Sequence, residues 1–104
     1  MTIEERAELA VETFAAGQGN CTQSVLCAWE DKIPVDHEML MKLGAGYGAG
    51  MGCMQATCGA LIGAVMAAGS MTDGKGTPRM ARSILTSFQE KSGATICKDL
   101  KGVE

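Results

Sequence analysis

Leu43-Gly-Ala-Gly-Tyr-Gly-Ala-Gly-Met-Gly52, and after it Cys58-Gly-Ala-Leu-Ile-Gly-Ala-Val-Met-Ala-Ala-Gly69, is the stretch whose reading decides the fold. No charged residue occurs from Leu43 to Thr72. A membrane-spanning helix takes about 20 apolar residues, so the length alone would permit one. Glycine at every second position of the first half argues against it, because each costs a helix about 1 kcal/mol relative to alanine. The unbroken apolar part, Cys58 to Gly69, is too short to cross a bilayer. The stretch therefore reads as a glycine-rich loop feeding a buried central helix, about Gln55 to Ala68, with no membrane span.

Helices bracket this centre on both sides. Upstream, Asp36 is placed to cap a helix carrying Met39, Leu40 and Leu43, and Pro34 sits in the turn before it. Asn20 with Gln23 three residues on marks another start, for a helix from Cys21 to about Asp31 that buries Val25, Leu26 and Trp29. Thr2 and Glu5 form a capping box for a first helix. Its apolar positions Ile3, Ala7, Ala10, Val11 and Phe14 recur at helical spacing, and Gly17 and Gly19 stop it. Downstream, Asp73-Gly-Lys-Gly76 is a flexible link. Thr77 as N-cap and Pro78 at N1 begin a helix with the stripe Met80, Ile84, Leu85 and Phe88, ended by Gly93. A last short segment, Thr95 to Leu100, carries Cys97. No alternating strand pattern, linker or internal repeat appears. The expectation is an all-α fold, a small antiparallel bundle of four to five helices, forming one domain over residues 1–104.

Composition agrees. The aromatic stock is Phe14, Trp29, Tyr47 and Phe88, so Leu, Met, Ala and Val must fill the core, which suits close-packed helices. Eight methionines add adaptable packing. A chain this short buries only about 60–65% of its unfolded surface, which makes a homodimer an expected way to cover more apolar area. The net charge is −3 and the basic residues are scattered, so no nucleic-acid footprint is expected. No charged segment followed by an apolar stretch opens the chain, which points to the cytoplasm, where thiols stay reduced. Five cysteines there argue for catalytic thiols, metal ligation or small buried hydrophobes rather than a disulfide framework.

Three of the five fall near expected helix starts: Cys21 after the cap Asn20, Cys58 early in the central helix, and Cys97 just after Thr95. The free N–H groups of a first helical turn supply the positive potential that favours a thiolate. That species attacks a disulfide or peroxide, or ligates a metal. Cys27, six residues beyond Cys21 and on a different helical face, reads as a packing residue. Cys53 lies in the glycine loop, at a spacing from Cys58 that is neither a redox CxxC nor a zinc knuckle. Gly59 and Gly63, with Ala60 and Ala64, form ridges that let another helix approach and leave bare backbone beside Cys58 for a second thiol or a substrate. His37, the only histidine, sits beside a cap and reads as a surface residue. Glu4, Glu5, Glu8 and Glu12 spread along a solvated face. Gly44, Gly46 and Gly50 follow no strand and precede no Walker lysine, so a phosphate loop is not expected.

Cys58-Gly-Ala-Leu-Ile-Gly63 matches the CGAxxG motif. With Asn20-Cys21, the lead-in Tyr47-Gly-Ala-Gly-Met-Gly52, the segment Cys53-Met-Gln-Ala-Thr-Cys58 and the later Cys97, the chain resembles the C_GCAxxG_C_C family of redox-active proteins along essentially its whole length. The resemblance implies shared cysteines with a redox role; it supplies no substrate. Members of that family run some tens of residues further and carry a last cysteine beyond the one matching Cys97, whereas this sequence stops at Glu104, leaving Cys53 as a candidate fourth sulfur.

Three readings follow. One is thiol–disulfide chemistry, as in an oxidoreductase, with Cys58 central, Cys21 or Cys97 its exchange partner, and a redox partner protein or small molecule. The second is a zinc or iron–sulfur site on Cys21, Cys53, Cys58 and Cys97. The third is a non-enzymatic helical module that dimerises or docks through its Gly/Ala ridges.

Overall fold

The computed structural model describes residues 1–48, 50–72, 74–96 and 99, without the side chains of Cys53 and Met54. Among the described residues the chain is helical. Helix α1 is Ile3–Ala15, α2 Cys21–Ala28, α3 His37–Gly44, α4 Gly59–Thr72 and α5 Thr77–Ser92. A 3-10 turn spans Glu30–Lys32 and a π turn Gly50–Met54. None of these helices is long and apolar enough to cross a membrane.

The caps form where the sequence places them. Thr2 Oγ1 accepts the Glu5 N–H at 3.0 Å, and the Glu5 carboxylate accepts the Thr2 N–H at 2.6 Å. Asn20 and Gln23 make the same reciprocal pair at 2.8 and 2.9 Å, and Asp36 Oδ1 accepts the Met39 N–H at 2.8 Å. Each bond satisfies a donor that a helix start would otherwise leave without a partner.

Helix α2 packs against α1, α3 and α4, and α5 lies on α4. The core where they meet is Leu26, Ile33, Leu40 and Ala67, with Trp29 and Met66 against it. Helix α2 ends at Ala28 rather than near Asp31, because Trp29 leaves helical geometry and the 3-10 turn carries the chain on. Of the apolar residues expected to anchor α3, only Leu40 is buried; Met39 and Leu43 face outward.

Helix α4 starts at Gly59, four residues later than expected. Backbone pairing holds the preceding residues extended: Thr57 bridges Ile96, and the Cys58 N–H donates to the Thr95 carbonyl at 2.7 Å. Thr95 and Ile96 thus serve as a short extended partner, and the Asp99 N–H donates back to the Ile96 carbonyl at 3.1 Å; the rest of the expected Thr95 to Leu100 segment lies outside the described residues. Helix α4 is also less deeply enclosed than expected, burying Gly59, Leu61, Gly63, Ala67 and Ala68 while the rest of its length is half-buried or exposed. The start of α5 shifts by one residue: Gly76, left-handed at φ 70°, is the cap, and Thr77 is the first helical residue. The Thr77 hydroxyl instead lies 2.6 Å from that of Thr72, tying α5 to the end of α4. Its stripe covers α4 only partly, since Ile84 and Phe88 are half-buried and Met80 and Leu85 exposed.

The largest departure is in α1. Ile3, Val11 and Phe14, read as its core face, are 76%, 67% and 53% exposed, whereas Arg6 is only 4% exposed. A buried guanidinium needs partners for its charge and its donors. Arg6 Nη1 donates to the Ala28 carbonyl at the end of α2 at 2.8 Å, and its two terminal nitrogens grip the Asp31 carboxylate at 2.6 and 3.0 Å. Its Cζ stands 4.3 Å over the Trp29 ring. One side chain thus closes the end of α2 with a helix-dipole contact, a bidentate ion pair and a cation–π contact.

The hydrogen bond from Arg6 holds the Asp31 carboxyl below its ordinary range. A lowered folded-state pKa contributes stability above the unfolded value, and this contribution disappears as pH falls through the folded one. We expect Asp31→Asn to lower the urea midpoint at neutral pH. Its difference from the native chain should shrink as pH drops below about 4, the unfolded Asp range. A parallel pair of pH–midpoint curves would show that the ion pair contributes nothing.

Candidate functional site

The candidate site lies where α2 crosses α4. Cys21 is the first residue of α2, and Cys58 immediately precedes α4, its carbonyl accepting the Ile62 N–H at 3.1 Å. Between them stands Gly59. A methyl group there would overlap Cys21 Sγ, lie 2.5 Å from Thr22 Oγ1 and lie 3.2 Å from the Tyr47 carbonyl oxygen. The Cys21 sulfur therefore rests on the bare backbone of the residue next to Cys58, whose Cα lies about 3.8 Å along the chain. One turn on, a methyl at Gly63 would meet the Thr22 carbonyl oxygen and Val25 Cβ at 3.0 Å. The wholly buried Thr22 hydroxyl donates to the Gly59 carbonyl at 2.9 Å, locking this crossing. The Gly/Ala ridge brings a helix close and leaves backbone free for a thiol, as the sequence suggested.

The glycine-rich segment after α3 closes over the start of α2. Asn20 Nδ2 donates to the Gly44 and Ala45 carbonyls, at 3.2 Å each. A methyl at Gly48 would stand 2.6 Å from three atoms of the Asn20 side chain. Asn20 therefore both caps α2 and anchors the loop above it. Further on, Met51 takes left-handed geometry at φ 62° and Gly52 follows at φ 80°, turning the chain back toward Cys58. Cys58 is thus approached by α2, by the Tyr47 turn and by the Thr95–Ile96 segment.

The two thiols stand at the starts of two helices, α2 and α4. Both cysteines are half-buried. Cys21 also lines an apolar cleft of about 220 Å³ with Phe14, Val25 and Ala60. Thiols beside bare backbone and an apolar recess can exchange with a second sulfur presented from solvent.

Of the residues expected to carry chemistry, the structure seats the Cys21 sulfur against Gly59, the residue after Cys58. Cys97 lies outside the described residues, although its neighbour Ile96 pairs with Thr57 beside Cys58. Cys53 belongs to the π turn, and its side chain is likewise outside the description.

A second constellation escaped the sequence reading. Cys27 and His37, read as a packing residue and a surface residue, lie together: Cys27 Sγ is 3.9 Å from His37 Nδ1, which is 3.1 Å from Glu30 Oε2. Cys27 Sγ also lies 3.5 Å from Met41 Sδ. Burial, and then the Glu30 charge, push the Cys27 thiol above its ordinary pKa. The local signal was present in two pieces, Cys27/Glu30 one turn apart and His37/Met41 at helical spacing. Only the fold of the Glu30–Asp36 connection joins them.

A family model described as "Putative redox-active protein (C_GCAxxG_C_C)" matches residues 19–104 of this chain. No curated protein and no solved structure matches it.

Gly59 carries the geometry of the first site. Gly59→Ala should lower unfolding free energy by about 1–3 kcal/mol, the usual range for overpacking. Gly46→Ala, with nothing within 4 Å of the added methyl, should change it little. Urea melts of the two variants check this, and equal midpoints would contradict the close approach at Gly59.

Proposed function

This chain belongs to the C_GCAxxG_C_C family of redox-active proteins, and from that premise we propose that it works by thiol–disulfide exchange between Cys58, Cys21 and a disulfide presented from outside. The observation that carries the reading is the Cys21 sulfur seated on Gly59, one residue from Cys58. Cys58 thiolate attacks one sulfur of the substrate disulfide, forming a mixed disulfide and releasing the other sulfur as a thiolate that takes up a proton. Cys21, deprotonated, then attacks Cys58 Sγ. The Cys21–Cys58 bond forms, the mixed disulfide breaks, and the second substrate thiol leaves. The substrate gains two electrons and two protons, and the chain loses the same. Cys97 is the alternative exchange partner, supported by the pairing of Thr95 and Ile96 beside Cys58.

The apolar cleft beside Cys21 suits a substrate with an apolar group flanking its disulfide, and such a substrate makes the chain a thiol–disulfide oxidoreductase. The cycle needs a compartment that regenerates thiols, so the proposed location is the cytoplasm. A homodimer is part of the same reading: Met39 and Leu43 on α3 and Met80 and Leu85 on α5 are exposed apolar side chains outside the Cys21 cleft, and a second copy would cover one of these faces.

Equilibration of the reduced chain in glutathione redox buffers, anaerobically and with peptide mapping, tests the reading. The expected product is one intramolecular disulfide joining Cys58 to Cys21, and Cys58→Ser should abolish it; a Cys58–Cys97 disulfide would replace Cys21 with Cys97 as the exchange partner. Only mixed glutathione disulfides on isolated cysteines would exclude the proposed cycle. Metal copurifying in stoichiometric amount and lost from Cys21→Ser and Cys58→Ser would replace it with a thiolate-ligated centre.

A further inference from the structure

We propose that Cys27, Glu30 and His37 form a binding site for a divalent transition-metal cation of the zinc type, separate from the Cys21–Cys58 pair. Their ligand atoms all lie within 4.8 Å of one another, with Cys27 Sγ to His37 Nδ1 at 3.9 Å and Nδ1 to Glu30 Oε2 at 3.1 Å. A tetrahedral zinc ion bound at about 2.0–2.3 Å holds such atoms about 3.3–3.6 Å apart. Closing onto an ion therefore asks for small adjustments of exposed or half-exposed side chains.

A nucleophile–base–carboxylate relay is the competing reading, and the geometry disfavours it. A relay needs the thiol and the carboxylate on opposite nitrogens of the imidazole, so that one can take a proton while the other orients the ring. Here both approach the same nitrogen, Nδ1. Three unlike donors converging on one point is the arrangement a cation requires. Thiolate, imidazole and carboxylate are also the donor types that zinc accepts in mixed sites.

The frame holding the donors is firm. Cys27 stands in the last turn of α2, Glu30 opens the 3-10 turn and His37 is the first residue of α3. Leu26, Ile33 and Leu40 fix these three pieces against one another in the core, and the Asp36 cap sets the first turn of α3. The donors open onto a cleft of about 350 Å³ lined also by Leu9, Thr13 and Gln18, so a hydrated ion has a path in. The His37 and Glu30 side chains are 60% and 41% exposed. Three protein ligands leave a fourth position for water or an external ligand, and the Met41 thioether, 3.5 Å from Cys27 Sγ, adds a soft neighbour. On binding, the Cys27 S–H proton passes to solvent, a metal–sulfur bond forms, and no electrons are transferred. Burial and the Glu30 charge, which disfavour the free thiolate, are offset by the cation.

The test is calorimetric titration of the full, reduced chain with Zn²⁺, paired with Co²⁺ titration read by thiolate-to-metal charge-transfer absorption. The native chain is expected to bind one ion at this site. Cys27→Ser and His37→Gln should each weaken that binding by about ten-fold or more, the scale on which even outer-shell partners count. Glu30→Gln should weaken it less, and Cys58→Ser should leave both the affinity and the Co²⁺ band intact. His37→Gln changes an exposed side chain, so it keeps the test valid if Cys27→Ser unfolds the chain. Unchanged binding in His37→Gln and Cys27→Ser, or no binding by the native chain at millimolar zinc, overturns the proposal. Loss of binding in Cys58→Ser alone would place the ion at the other thiols and overturn it equally.

Discussion

The hydrogen bond from the buried Thr22 hydroxyl to the Gly59 carbonyl is the contact on which the arrangement around the thiols depends. It can form only if the first turn of α2 lies against the first turn of α4 with no side chain between them. Gly59 and Gly63 provide that, and alanine at either position would meet atoms of α2 at or inside van der Waals contact. A helix crossing this close gains dispersion along its length and gives up side-chain volume at the crossing. The space left by the absent methyl at Gly59 is where the Cys21 sulfur lies. Packing and chemistry therefore share one constraint.

The surrounding elements maintain that crossing. Asn20 starts α2 and binds the Gly44 and Ala45 carbonyls, so the glycine-rich turn cannot shift without releasing a helix cap. Thr95 holds the Cys58 backbone from the other side. At the far end of α2, Arg6 bonds to Ala28 and Asp31 and covers Trp29. Helix α2 is thus secured at both ends, and each end neighbours a cluster of sulfur donors. Cys21 faces α4 at one, and Cys27 faces α3 at the other.

The legible parts of the fold were those set by local chemistry. Capping side chains at Thr2, Asn20 and Asp36 act within four residues, so the starts of α1, α2 and α3 could be read directly. The glycines at 59 and 63 announced a close crossing because small residues one helical turn apart have few other uses. Effects that depend on distant partners were not legible. The Thr95–Ile96 segment delays α4, and no pattern near Gln55 signals that. Arg6 turns inward because Ala28, Trp29 and Asp31 await it more than twenty residues later, displacing the apolar stripe of Ile3, Val11 and Phe14 to the surface. His37 was read as a lone histidine because its neighbours Cys27 and Glu30 lie on the other arm of a turn. The thiols were legible only as a set of candidates; among the described side chains, the fold seats the Cys21 sulfur against Gly59, the residue after Cys58.

The most direct measurement is NMR of the reduced chain with labelled cysteine and glycine, followed through oxidation. The account predicts a nuclear Overhauser contact between Cys21 Hβ and Gly59 Hα in the reduced state. It also predicts that the Cβ resonances of Cys21 and Cys58 move together to disulfide positions as oxidant is added. Absence of that contact in a folded chain, or oxidation of either cysteine while the other keeps its thiol resonance, would contradict it.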